Sequence, residues 1–284
     1  MAKPSTTIIT LVSFIVGAGE AAAQDRVPRF SQHGTVSQTI TGVTIEVDYD
    51  RPTARGRELF GGVVHWGEFW TPGANWATTI ESDGDFRVNG HSLEAGKYSV
   101  WMIPQPEEWT VVISADDSVF HTQRPASDLE VARFTVEPQE ADNYLDALSF
   151  YFPSVGPHYA TLMFQWGSTA VALELEVDSY PQITLSSAER AVYVGEYRVD
   201  DGRTVTVEDE DGVLNANGLS RSGNFIMHLV PRGEHRFDVG RYLNGELMTV
   251  YWTDRSVVFR VEGDRAIGWS FVRDGDVQYS ATRR

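Results

Sequence analysis

Thr44-Ile45-Glu46-Val47-Asp48-Tyr49 and, further on, Phe86-Arg87-Val88-Asn89-Gly90 carry the pattern that decides the fold. Ile45, Val47 and Tyr49 share one face while Thr44, Glu46 and Asp48 share the other, the period of a half-buried strand. Asn89-Gly90 is a strong two-residue hairpin signal, because both central positions of such a turn need positive φ, and the chain is expected to return through Gly96–Met102. The same alternation marks strands at Trp109–Ser114, Ala132–Val136, Leu148–Phe152, Tyr159–Trp166 and Ala170–Val177. Helical periodicity is scarce. Short strands separated by turn signals every ten or so residues predict an all-β chain beginning with an antiparallel β-sandwich.

Between Asp178 and Ser187 the pattern lapses into a linker, after which Ser186–Val192 has the makings of one or two helical turns. A second strand series follows, punctuated by Asp201-Gly202, Asp211-Gly212, Asn217-Gly218, Asn244-Gly245, Gly263-Asp264 and Asp274-Gly275. Segments such as Thr204–Val207, Val257–Val261 and Ala266–Phe271 alternate between those turns, which predicts a small β-barrel-like meander whose closure removes exposed strand edges.

The first residues read as a leader: Lys3, an apolar run from Ile8 to Val16 that is too short to span a bilayer, and Ala21-Ala22-Ala23 before Gln24. The expected organisation is therefore a signal peptide over 1–23, a sandwich over 24–180 and a barrel-like domain over 186–284. That predicts a periplasmic or extracellular protein with no transmembrane segment in the mature chain. Cysteine is absent, so neither disulfides nor thiol lipidation contribute. The formal net charge is −17. Residues 24–183 hold 23 Asp and Glu against 9 Lys and Arg, whereas 184–284 hold 16 against 13, so the acidity belongs to the first domain. Such a field repels phosphate backbones and argues against nucleic-acid partners.

The stretch from Arg51 to Thr79 is too irregular for one helix or strand, and it concentrates the candidate ligand-binding residues. Arg51, Arg55 and Arg57 can clamp an anionic or polar group through guanidinium forks, or tie the loop to Glu58, Glu68, Asp48 or Asp50. Trp66, Trp70 and Trp76 can stack on sugar rings or pack into a core. Asn75 can hydrogen-bond a ligand or satisfy a turn. Glu68 and His33 complete the set.

Ser31-Gln32-His33-Gly34, Val47-Asp48-Tyr49, Arg51-Pro52, Arg55-Gly56-Arg57, Phe60-Gly61-Gly62, Gly73-Ala74-Asn75, Gly96-Lys97-Tyr98-Ser99 and Glu108-Trp109-Thr110-Val111 together resemble a secreted bacterial domain, the domain-of-unknown-function family 2911. The resemblance covers about residues 31–177 and implies a secreted β-rich domain without an assigned activity. Its usual Trp-Arg-x-Gly-Ala-Asn-Glu-Ala-Thr loop departs here, with Thr71 at the arginine position and Trp76 at the glutamate position. Separately, Tyr193-Val194-Gly195-Glu196-Tyr197 resembles the opening of small β-domains that follow secreted penicillin-recognising hydrolases, implying an accessory lipocalin-like barrel without catalytic residues.

No histidine pair has metal-ligand spacing, and no cofactor motif is present, so neither a metal nor a cofactor is expected. Gly218-Leu219-Ser220-Arg221-Ser222 lacks the closing glycine of a nucleophile elbow, and Glu208–Gly212 lacks the ligand pattern of a calcium loop. The expected function is a non-catalytic binding module for a polar or carbohydrate-like cell-envelope ligand. Two alternatives stay open: a hydrolase of envelope polymers using Glu58 or Glu68 with His33, and a protein-interaction scaffold whose partner the sequence does not name.

Overall fold

The computed structural model describes residues 29–220 and 227–284. The leader-like residues 1–23 and Arg221-Ser222 of the Gly218–Ser222 run lie outside the described residues. Residues 31–284 form one compact unit built almost wholly of antiparallel strands. In chain order the first ten are β1 (Gln32–Ile40), β2 (Val43–Arg51), β3 (Thr79–Ser82), β4 (Phe86–Val88), β5 (His91–Leu93), β6 (Gly96–Ile103), β7 (Trp109–Ser114), β8 (Glu130–Val136), β9 (Gln139–Val155) and β10 (Tyr159–Val177). They make a six-stranded sheet in the order β1-β2-β3-β6-β7-β8 and a four-stranded sheet in the order β5-β4-β10-β9.

The alternation along β2 is realised: Ile45, Val47 and Tyr49 are buried in the core between the sheets, with Trp109, Phe150, Phe164 and Trp166. Asn89-Gly90 turns the hairpin with both φ positive, but its returning arm is β5 rather than Gly96–Met102. The latter is β6, paired with β3 and β7 in the other sheet. A turn signal sets local reversal and carries no information about which sheet the following strand joins. Tyr159–Trp166 and Ala170–Val177, read as two strands, are one long β10; the apparent break at Gly167 is an irregularity in the pairing with β9, where φ is +65°.

The helix after the linker is α1 (Ser187–Ala191), begun by a capping box in which Ser186 and Glu189 satisfy each other's backbone N–H groups. Nine strands follow: β11 (Gly195–Val199), β12 (Thr204–Glu210), β13 (Val213–Asn217), β14 (His228–Gly233), β15 (Arg236–Leu243), β16 (Glu246–Val250), β17 (Arg255–Glu262), β18 (Arg265–Arg273) and β19 (Asp276–Arg283). The order β14-β13-β12-β11-β19-β18-β17-β15 closes through β14–β15 into an eight-stranded barrel, and β16 is appended outside β15. Asp211-Gly212, Asn244-Gly245 and Asp274-Gly275 all turn with paired positive φ. The turn at Gly233–His235, with His235 at φ +62°, has no such sequence signature. Tyr193, Tyr197, Phe237, Phe259, Trp269 and Phe271 belong to the side-chain cluster that fills the interior, as expected for a barrel of this strand number.

The linker is held to the barrel by charge. The Tyr180 hydroxyl hydrogen-bonds the buried Asp238 carboxylate, Arg232 Nε stands 3.1 Å from that carboxylate, and the guanidinium lies 4.8 Å from the Tyr180 ring centroid. Burial, then the bond to Asp238, pushes the phenol up to about 12. Because the folded value exceeds the ordinary phenol value of about 10, the folded state holds this proton more tightly. Its contribution is complete below pH ~10 and is lost as pH rises through about 12. Urea midpoints measured between pH 9 and 12 are expected to fall, and the fall is expected to be shallower in Tyr180→Phe. Equal slopes would remove Tyr180 from the account.

Candidate functional site

The polar face of the six-stranded sheet carries a row of side chains that strand register brings together. Across β1, β2, β3 and β6, His33 is opposite Asp50, Asp48 is opposite Thr79, and Glu81 is opposite Lys97. This is the face that alternation assigned to solvent. Over it folds the segment 115–121, whose Val119 joins Ala77, Trp101 and Val112 in a small separate cluster supported by Phe69. Ala77 N–H donates to Val119 at 2.8 Å and His121 N–H to the Asn75 carbonyl at 2.8 Å, so the two loops pair edge to edge.

The result is a hollow of about 310 Å³ lined by His33, Asp48, Asp50, Trp76, Lys97 and Asp117, among others. His33 Nε2 is 3.3 Å from the Asp48 carboxylate, and Nδ1 is 3.8 Å from that of Asp50. Asn75 donates to the other Asp50 oxygen at 2.8 Å, and Lys97 is 3.6 Å from Glu81. Asn75 adopts φ +61°, a left-handed conformation that asparagine tolerates. The next residue, Trp76, is 60% exposed, with its ring supported edge-on by Phe120 at 5.5 Å.

The arginines do something else. Arg51-Pro52-Thr53-Ala54 leaves the six-stranded sheet and pairs with the outer edge of β9 in the other sheet. Leu148 N–H donates to the Pro52 carbonyl at 2.9 Å and Ala54 N–H to Asp146 O at 2.7 Å, beside the Thr53–Ala147 bridge. Arg51 reinforces the crossing through Nε to Leu148 O at 3.1 Å and Nη2 to Ser149 Oγ at 2.8 Å. Arg57 donates to the carbonyls of Ala54 and Thr53, at 2.9 and 2.8 Å. Arg55 is exposed, and its backbone N–H donates to Asp146 Oδ1 at 3.0 Å. Arg51 and Arg57 thus bind this irregular segment through backbone carbonyls and a serine rather than the carboxylates considered from sequence. None of the three lines the Trp76 hollow.

Trp70 pairs with Met102 and stacks on Trp166 at 6.2 Å, next to Phe60 and Phe164, so its ring is part of the packing. Trp66 is 43% exposed and borders a different hollow, of about 320 Å³, with Trp109, Pro138 and Glu140. Glu68 is exposed on the loop, and neither it nor Glu58 lines the hollow that contains His33. Thr71, at the position where the resemblance expects arginine, is fully buried, donating to Val100 O at 3.1 Å and accepting from Thr78 N–H at 2.9 Å. From sequence, Asp48 entered only as an anchor for the arginines and as part of a motif, Lys97 only as part of a motif, and Asp117 not at all. Cross-strand register was the missing information for the first two, and the fold of the 115–121 loop for the third.

Fold and site together define an all-β protein in which a sandwich presents a polar, one-sided hollow and a closed barrel follows. The chain belongs to the family described as "Protein of unknown function (DUF2911)", whose model matches residues 31–175 of its 284. No curated protein and no solved structure matches the chain. Among the described residues no helix is long and apolar enough to cross a membrane.

Proposed function

We propose that the protein is an exported, non-catalytic binding module for a hydroxyl-rich, carbohydrate-like ligand, held between His33 and Trp76. The observation that carries this reading is a tryptophan left 60% exposed at the rim of a hollow lined by three aspartates, an imidazole, an amine and hydroxyls. A pyranose offers an apolar C–H face to the indole and a rim of hydroxyls to the carboxylates, the pairing that such a mixed wall recognises. Asp48, Asp50 and Asp117 disfavour an acidic ligand, so a neutral or amino sugar fits better than an anion. The reading of export rests on the leader-like residues 1–23.

A thermal-shift panel of neutral, amino and acidic oligosaccharides tests the idea. At one hundred times its dissociation constant a bound sugar stabilises the fold by about 2.7 kcal/mol. That shift is expected with neutral or amino sugars and is expected to vanish in Trp76→Ala, whose own stability changes by no more than ~0.5 kcal/mol because the ring is exposed. Silence across the panel, or undiminished binding by Trp76→Ala, would refute the assignment.

A further inference from the structure

A third hollow, of about 1090 Å³, lies where the sandwich residues 39–42 and 156–158 face β16 of the barrel. Six consecutive residues of the chain, 245–250, line it. Side chains alternate between the two faces of a strand, so a strand presenting a face contributes every second residue. Here the series runs unbroken through Met248, the residue that the pairing with β15 skips as a bulge, so β16 turns its edge as well as a face to the hollow. Among the described residues β16 pairs with β15 alone and takes no part in closing the barrel, which leaves its outer row of peptide N–H and C=O groups open.

Proteins usually protect such edges with charge, proline or a covering segment. Here the middle of β9 is covered by Pro52–Ala54 and the barrel strands are closed on one another, while β5 and β8 end their sheets outside this hollow and β1 reaches it only at Thr39 and Ile40. The β16 edge has Glu246 at its start, and then Leu247-Met248-Thr249-Val250 with neither charge nor proline, interrupted only by the bulge at Met248. Around it the hollow carries Glu176, Asp178 and Glu246 against one guanidinium, Arg87, which already bonds Glu176 at 3.0 Å and Asp178 at 2.9 Å. The excess is negative, and the whole chain is at −17, so a second copy is repelled and a basic partner attracted.

We infer that β16 is a docking edge for an extended, basic peptide segment of a partner protein, which adds a strand to the barrel sheet within this hollow. Main-chain hydrogen bonds supply the affinity, and lysine or arginine side chains reaching Glu176, Asp178 and Glu246 supply selectivity. The inference shares no residue with the saccharide site and stands independently of it.

Fluorescence anisotropy of labelled decapeptides alternating lysine and valine, titrated with the leader-free chain, tests it. Saturable binding is expected, weakened about tenfold or more when alternate peptide nitrogens are methylated, since the lost hydrogen bonds amount to at least one decade in affinity. Met248→Pro and, with the backbone unaltered, Thr249→Lys are expected to weaken it too, while the glutamate–valine peptide does not bind. The inference is overturned if no lysine–valine peptide binds, or if the methylated peptide binds as well as the parent. It is equally overturned if Thr249→Lys leaves affinity unchanged, or if light scattering shows a dimer that Thr249→Lys dissolves, which would give the edge to a second copy.

Discussion

Phe164→Ala is expected to lower the unfolding free energy by about 3–5 kcal/mol, the range for removing a large aromatic ring from a core that cannot close over the gap. Phe164 is fully buried on β10, and its ring centroid lies 5.5 Å from that of Phe150, 5.9 Å from Trp70, 6.0 Å from Trp109 and 6.5 Å from Phe60. Those neighbours come from both sheets and from the Arg51–Thr79 segment. Rings fixed from several directions have little freedom to relax inward, so the cavity persists and the cost stays high. A guanidinium titration with an unchanged slope and a lowered midpoint is the expected record. A loss below 1 kcal/mol would mean that Phe60 and Trp70 do not rest on the core, and the irregular segment would then lack the support described above.

The barrel has a counterpart in Arg283→Met, expected to cost about 3 kcal/mol, the scale of charge-assisted hydrogen bonds lost with acceptors left behind. From the last strand, the Arg283 guanidinium donates to Val192 O at 3.3 Å, to Ala266 O at 3.0 Å and to the Val194 carbonyl, and lies 5.7 Å from the Tyr197 ring centroid. One side chain thus ties the exit of α1, the entry to β11 and the start of β18 at one place. Methionine keeps the apolar stem and removes the fork, so the loss reports the hydrogen bonds rather than packing. Lysine offers a single ammonium in place of a planar fork, and Arg283→Lys is expected to recover less than half of the deficit. Full recovery by lysine would show that charge alone, without fork geometry, closes this end.

Much of the architecture was legible from local pattern. Ile45, Val47 and Tyr49 point inward because a strand has no other way to bury every second residue. Asn89-Gly90, Asp211-Gly212, Asn244-Gly245 and Asp274-Gly275 turn because both residues of each pair accept positive φ. The site was less legible. His33, Asn75 and Trp76 were candidates that the fold brings around the Trp76 hollow, but Asp48, Lys97 and Asp117 join them from elements 15 to 84 positions away in sequence from His33, through register and loop pairing. Arg51 found a backbone acceptor on the edge of the other sheet because its segment crosses there, and Arg57 folds back onto the carbonyls of that same segment, so neither bonds a carboxylate considered from sequence.

By itself the sequence determined strand identity, most hairpins, the acidic character of the sandwich and the chemistry of most barrel turns, though not of the β14–β15 turn through which the barrel closes. Each of these depends on neighbours a few residues apart, and short-range sterics and alternation settle them. Only the tertiary structure decided which sheet each strand joins, which tryptophans are left at the surface, that Arg51 staples two sheets and that β16 stands outside the closed barrel. Those outcomes depend on contacts between segments far apart in the chain, where several partners of equal chemistry compete and geometry alone selects among them.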